Sequence, residues 1–200
     1  SLWIGYFSQG MDLVNLKTGK VEHFTSLSSG GELSDNNVFS IYKDRNNNIW
    51  IGTTYGLNIL SPDNNKIRQV QEIGKEVFVY DIIEDSQGIM WFATYNDGIF
   101  CYNPRIKKWE NIRNEKDNPE SLGYDKIIGL YEDSRKWMWL STEGGGASVY
   151  LPTEKKFKTY TTNEGLPNNV VYKILEDEKG NIWMTTNKGL SCLDIKTNKI

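Results

Sequence analysis

Residues 177–190 read DEKGNIWMTTNKGL, and the same phrase returns through the chain. Residues 44–57 read DRNNNIWIGTTYGL, residues 85–91 DSQGIMW and residues 133–139 DSRKWMW. In all four copies (Asp44, Asp85, Asp133, Asp177) the Asp precedes a Trp by six residues. A fifth copy begins partway through, at Trp3, so the marker residues Trp3, Trp50, Trp91, Trp139 and Trp183 are separated by 47, 41, 48 and 44 residues.

Working outward from the marker, each copy keeps one grammar. An apolar strand precedes the Asp, as in VFSIYK (38–43) and VVYKIL (170–175), with Ile41, Ile82, Leu130 and Ile174 three positions before it; this strand reads as buried on both faces. The Asp opens a turn in which its carboxylate accepts backbone N–H groups, and three residues on stand Asn47, Gly88 and Gly180, all tolerant of positive φ. Lys136 holds that place in the fourth copy, which predicts a distorted or differently built turn there. After the Trp come an apolar residue, a small one (Gly52, Ala93, Ser141, Thr185) and a Thr (Thr53, Thr94, Thr142, Thr186). A loop then leads to Gly56, Gly98, Gly146 or Gly189, with Gly10 in the same place in the first copy, and to a third strand. A more polar fourth strand follows, as in KWENI and KFKTY.

Four strands in about 40 to 50 residues, the innermost the most apolar, describe a blade of an all-β propeller of four-stranded antiparallel blades. No copy contains the amphipathic helix that a parallel β/α repeat needs. The blade pieces fall at about residues 1–27, 37–72, 77–114, 126–161 and 169–200, some four and a half blades of a single propeller fragment, with seven expected for the whole. Composition agrees: seven Trp, eleven Tyr and eighteen Gly in a 200-residue chain that is 38% hydrophobic suit short, half-buried strands and tight turns. A net charge of −3 with scattered Lys and Arg supplies no basic stripe for nucleic acid. No run of eighteen apolar residues is present, so membrane contact is expected only through segments outside this chain.

The repeated Asp-x-x-(Gly/Asn)-x-(Ile/Met)-Trp phrase with its Thr and Gly closely resembles the two-component regulator propeller repeat, and 177–190 and 44–57 are near-ideal copies. Lys136, Trp137 and the Gly144-Gly145-Gly146 run depart from it. The resemblance implies the periplasmic sensor region of a hybrid two-component histidine kinase, homodimeric in the full-length protein. In such proteins an oligosaccharide released from a glycan changes kinase output and so regulates polysaccharide utilisation. The segment itself is then not an enzyme, and no cofactor is expected.

Blade topology puts the loops between second and third strands on the same face as the inter-blade links, opposite the Asp turns. The loop set varies between copies, and variable loops on a rigid scaffold are where binding groups sit. Candidate ligand contacts are therefore Tyr55, Tyr95, Asn96, Asp97, Glu143, Asn187 and Lys188 in the loops, with Arg113, Tyr124, Asp125, Asn168 and Asn169 in the links. Aromatic faces meet the C–H surface of a sugar, and amides and carboxylates meet its hydroxyls; Tyr95-Asn96-Asp97 supplies both. Asp81 and Lys173 share one inner-strand position that faces a central channel or serves structure. The repeated Trp residues read as inter-blade core and the repeated Asp residues as turn formers, not catalytic acids.

Other chemistries lack parts. Asp44–Asn48 opens like a calcium loop, yet its sixth position is Ile49 and its twelfth Tyr55. The single His23, placed just before an outer strand, has no second ligand at zinc spacing, and no triad can be assembled around it. A propeller lyase or glycosidase would need a converging acid and base; only Glu143 and Asp97 could be nominated, and nothing pairs them. A protein-interaction scaffold is the alternative to a sugar sensor. Cys101 and Cys192 occupy the same strand position in different blades, where others have Leu13, Ile59 and Val149, and read as two buried free thiols.

Overall fold

A computed structural model describes residues 1–26, 33–62 and 66–200. The blade boundary drawn at residue 27 and residues 63–65 of the second piece lie outside them. The strands are β1 (Leu2–Gly5), β2 (Met11–Val14), β3 (Val21–Phe24), β4 (Val38–Lys43), β5 (Ile49–Thr53), β6 (Gly56–Leu60), β7 (Ile67–Val70), β8 (Val79–Glu84), β9 (Met90–Thr94), β10 (Ile99–Asn103), β11 (Lys108–Ile112), β12 (Ile127–Glu132), β13 (Met138–Thr142), β14 (Ala147–Leu151), β15 (Lys156–Tyr160), β16 (Val171–Glu176), β17 (Ile182–Thr186) and β18 (Gly189–Leu193). They form five sheets in chain order: β1 to β3, β4 to β7, β8 to β11, β12 to β15 and β16 to β18.

The first hairpin of each complete copy is closed by its Asp. Oδ1 of Asp44 accepts the N–H groups of Asn46 and Asn48, and Asp85, Asp133 and Asp177 do the same two and four residues on. Oδ2 accepts the indole N–H of the Trp six residues later, at 2.9 Å from Trp50, Trp91 and Trp139 and 3.0 Å from Trp183. One carboxylate thus ties the turn to the strand that follows it, through charge-assisted bonds stronger than neutral ones. The fourth turn is neither distorted nor differently built, contrary to the expectation from Lys136. Lys136 takes φ 71, beside Asn47 at 64, Gly88 at 85 and Gly180 at 84, and donates its N–H to the Asp133 carbonyl as they do to theirs. The turn's hydrogen bonds outweigh the cost of a left-handed lysine, about 1 to 2 kcal/mol.

The second hairpin is locked by its Thr: Thr53, Thr94, Thr142 and Thr186 each donate their hydroxyl to the carbonyl of the following repeat glycine. That glycine in turn reaches the next inter-blade link. Gly10, Gly56, Gly98 and Gly146 donate their N–H to the carbonyls of Asn36, Val77, Asp125 and Asn169, each eight residues before a repeat Asp. The variable loops and the links therefore share one face because they are bonded to each other. The expectation that the inner strand is buried on both faces is corrected: β4 and β16 are largely half-buried or exposed, whereas β5, β9 and β13 are buried throughout. The inner strand has one lateral neighbour in its sheet; the second strand has two.

The chain divides into two compact units, Ser1–Ile82 and Ile83–Ile200. The first has a core of Met11, Leu33, Ile49, Ile51 and Leu60, against which Trp3 packs half-buried. In the second, Trp91, Ile99, Cys101, Leu122 and Leu140 fill one core, and Trp139, Val149, Val171, Met184 and Leu193 another. Trp50, Trp91 and Trp139 are core, as expected, but Trp183 is 38% exposed. The reason is positional: β16 to β18 bury only one face, as their alternating burial shows, and Trp183 points from the other. The same face leaves Cys192 half-buried, so only Cys101 is the buried thiol expected; both are free.

Candidate functional site

In the second unit the variable face is built around Arg113, just past the end of β11. Its Nη2 donates to the Asn96 carbonyl at 2.7 Å, and its guanidinium lies 3.4 Å from Asp97 Oδ1 and 3.2 Å from Asp125 Oδ2. Asp125 Oδ1 also accepts the Asn114 N–H at 2.7 Å, and Asn111 donates its amide to the Asp97 carbonyl. The β9–β10 turn and the link from β11 to β12 are thereby joined into one polar cluster. At its side the Lys126 ammonium stands over the Tyr95 ring, 4.7 Å from its centroid, a cation–π contact. Glu143 donates its N–H to the Lys126 carbonyl, which brings the β13–β14 loop alongside. Tyr124 lies over Gly144 and Gly145, and a Cβ at Gly145 would collide with its side chain, so that glycine is required for the contact. Next to this cluster an open cleft of about 680 Å³ is lined by Asn114, Leu122, Gly145, Thr161, Glu164 and Asn169. Thr161 holds the Glu164 carboxyl below the usual carboxylate range by donating to it, so Glu164 is an acceptor there.

Of the twelve candidates, the structure thus gathers Tyr95, Asn96, Asp97, Arg113, Tyr124, Asp125 and Glu143. Arg113 and Asp97 are turned partly toward each other, which makes them a preformed clamp instead of two free arms. Asn187 accepts from the Tyr172 hydroxyl at 2.6 Å, while Lys188 is exposed at the β17–β18 turn with its N–H on Thr186. Neither contacts the Arg113 cluster. Asn168 and Asn169 accept from the backbone N–H groups of Val170 and Thr162 and so shape their loop, and Asp81 accepts from that of Ile82 within β8. Lys173 is exposed on β16. Lys126 and Asn114 were missed by sequence reasoning, and no local signal marks them, since their partners come from other loops.

Tyr55 belongs to the first unit and is 55% exposed at the β5–β6 turn. A second group missed in the sequence lies in that unit: Phe39 is 4.5 Å from Phe78, 5.3 Å from Tyr80 and 6.3 Å from Phe7, ring centroid to centroid. Its signal was present, because Phe39, Tyr80 and Tyr172 all stand five residues before a repeat Asp.

Two other groupings stand apart from these. His23 lies within β3, not before it, and its Nδ1 is 2.5 Å from Asp12 Oδ1, while Tyr6 donates to Asp12 Oδ2 at 2.9 Å. These bonds hold the Asp12 carboxyl below its ordinary range, His23 contributing most. The array sits on an open strand face. Among the described residues no cluster of His, Cys, Asp or Glu is placed to hold a metal ion. A cavity of about 320 Å³ opens beside Cys101 and Tyr150 on the side of the Asp turns, where Cys101 replaces the larger aliphatic residues of other blades. Burial there pushes the Cys101 thiol well above its usual pKa, which leaves it a poor nucleophile.

The comparisons with known proteins agree with this architecture. The two-component regulator propeller model matches residues 32–55, 74–96 and 165–188. Among solved structures, the chain is similar to the extracellular domain of the hybrid two component system BT4673 from B. thetaiotaomicron, with 24% identity over 95% of this chain and 25% of that one and a TM-score of 0.74. The corresponding domain of BT3049 from the same organism gives 24% identity, 97% and 30% coverage and a TM-score of 0.55. Virginiamycin B lyase from Staphylococcus aureus gives 12% identity, 97% and 63% coverage and a TM-score of 0.68. The chain therefore spans about a quarter of the length of the first of these. No curated protein matches the sequence. The Asp133 copy lies outside the matched segments, yet it folds as the others do. The sheets are β-propeller blades, and three segments of the chain match the two-component regulator propeller repeat.

Proposed function

We propose that this chain is the ligand-sensing part of an extracytoplasmic sensor in a hybrid two-component system, that it binds glycan-derived oligosaccharides, and that through them it regulates polysaccharide-utilisation genes. The observation that carries the reading is the Arg113 cluster. On a scaffold whose turns repeat bond for bond, the one face that varies joins a Tyr, a Lys, two Asp and an Arg into a preorganised polar surface beside an open cleft. Preorganised polar groups with aromatic surface are what a hydroxyl-rich ligand needs. The regulator-propeller repeats and the likeness to extracellular domains of hybrid two-component systems support the sensing role and the extracytoplasmic location.

The test is calorimetric titration of the chain with cellohexaose, xylohexaose, arabinohexaose and β-1,4-galactohexaose, with chromatography of the same mixtures for product. Saturable binding without product, weakened about tenfold by Tyr95→Ala, is the expected result. Product formation would establish an enzyme, and absence of binding across the panel would overturn the sugar reading.

A further inference from the structure

Three of the inner strands, β4, β12 and β16, share one irregularity. Val38 pairs with Thr53 and Ser40 with Gly52, so Phe39 is an extra residue bulged out of the β4–β5 ladder. Ile128 is extra in the same way between Ile127 and Gly129, and Tyr172 between Val171 and Lys173. A bulge leaves its extra residue unpaired and re-aims the side chain, and bulges concentrate next to binding sites. Here the re-aimed residue carries a large side chain in each case, and it is not buried: Phe39 is 37% exposed, Tyr172 50%, and Ile128 is half-buried.

Around Phe39 the first unit gathers further rings. Phe78 and Tyr80 lie against it and 5.6 Å from each other, and Phe7 meets it edge-on while remaining 77% exposed. Phenyl surface left in water is unfavourable, and clustered apolar surface of this kind marks an interaction site. Phe7 is also held in place. Tyr6 donates its N–H to the Gly10 carbonyl, Val38 donates its N–H to the Tyr6 carbonyl, and the Ser8 hydroxyl donates to Asn37 Oδ1 at 3.2 Å. Ser8 itself takes φ 69, a left-handed conformation that is unfavourable for a serine. Polar groups stand beside the rings. Asn37 is oriented by Asp35, and Thr54 donates its N–H to the Asn37 carbonyl, which brings the turn carrying Tyr55 to the same link.

We propose that Phe7, Phe39, Phe78 and Tyr80 form a stacking surface for the apolar face of a pyranose ring, with Ser8, Asn37 and Tyr55 meeting the ring's hydroxyls. The assignment rests on the oligosaccharide reading above and adds a contact surface that reading does not use. A pyranose presents one face of C–H bonds and an edge of hydroxyls, the same division as packed rings with amide and hydroxyl groups beside them. A purely apolar ligand would gain nothing from Ser8, Asn37 or the Tyr55 hydroxyl.

The test repeats the hexasaccharide titrations with Phe7→Ala, Phe39→Ala and Phe39→Tyr, each checked for unchanged thermal melting. Phe7 lies outside any core, so Phe7→Ala is expected to fold normally and to lower affinity for the binding hexasaccharide about tenfold, with Phe39→Tyr retaining affinity. If the unaltered chain binds and both alanine variants bind equally well, the stacking assignment is overturned while the oligosaccharide reading stands. If the unaltered chain binds none of the four, the parent reading fails and the assignment with it. Self-association in sedimentation velocity that Phe7→Ala abolishes, without sugar binding, would make the rings a protein contact and likewise overturn it.

Discussion

At the scale of single residues, the bond between the repeat Asp and Trp decides how each blade starts, and its worth depends on burial. Asp133 is buried and accepts from Trp139, from two backbone N–H groups and from Arg135. Asp133→Ala would strand the Trp139 N–H and take from the half-buried Arg135 guanidinium one of its two carboxylate partners, and is expected to cost about 3 kcal/mol in urea unfolding. Asp177→Ala should cost clearly less, because Trp183 is open to water. Equal losses would show that burial is not the deciding factor. The Trp183 indole N–H, then Asn181, hold the Asp177 carboxyl far below its ordinary range. A carboxyl depressed on folding contributes stability that is fully present above its unfolded value, about 3.9, and that is lost as pH falls toward the depressed one. The Trp183 indole resonance should therefore keep its position from neutral pH down to about 4; movement centred above that value would refute the assignment. Lys136 is the strained residue of the set. Lys136→Gly relieves a left-handed side chain and gives back some of that gain as unfolded-state entropy, so it should stabilise by about 0.5 kcal/mol. The six-residue Asp–Trp spacing was legible in the sequence; the bond was not, since spacing reports recurrence and only the closed turn brings the indole to the carboxylate.

At the scale of elements, neighbouring sheets are joined by a repeated clamp. Ser86, one residue after its repeat Asp, donates both its N–H and its hydroxyl to Glu132 at the end of the next inner strand, and Ser134 does the same to Glu176. Arg135 adds a second tie, reaching Asp133, Glu176 and the Gly180 carbonyl. In a double-mutant cycle, Ser134→Ala and Glu176→Gln should show a coupling energy of about 1 kcal/mol in unfolding, and additive effects would deny the clamp. Hairpin order, turn positions and the Thr and Gly places were readable because each is fixed by contacts a few residues apart. The bulges were not, since two residues opposing one is a property of paired strands and leaves no mark in a single strand's alternation.

At the scale of the molecule, the same repeat gives different environments to equivalent residues. Cys101 is enclosed between β8–β11 and β12–β15, while Cys192 lies on the open side of β16–β18. A thiol reagent at pH 8 should label Cys192 in the folded chain and Cys101 only on unfolding; prompt labelling of both would contradict the packing. The candidate site divides along the same line. That the variable loops and links share a face followed from blade topology, and the choice of Tyr95, Asn96, Asp97, Arg113, Tyr124 and Glu143 followed from their residue types on that face. Arg113 meets Asp97 across 16 residues and Asp125 across 12, so no window of sequence shows that it is a clamp. The sequence by itself determined the blade, because its turns, hairpins and Thr–Gly locks are made by residues within a few positions of one another and recur at a fixed period. The tertiary structure alone decided which copies of a repeat residue are buried, which charges are already paired, and which rings stand exposed, because each depends on a partner from another loop or sheet that spacing along the chain does not specify.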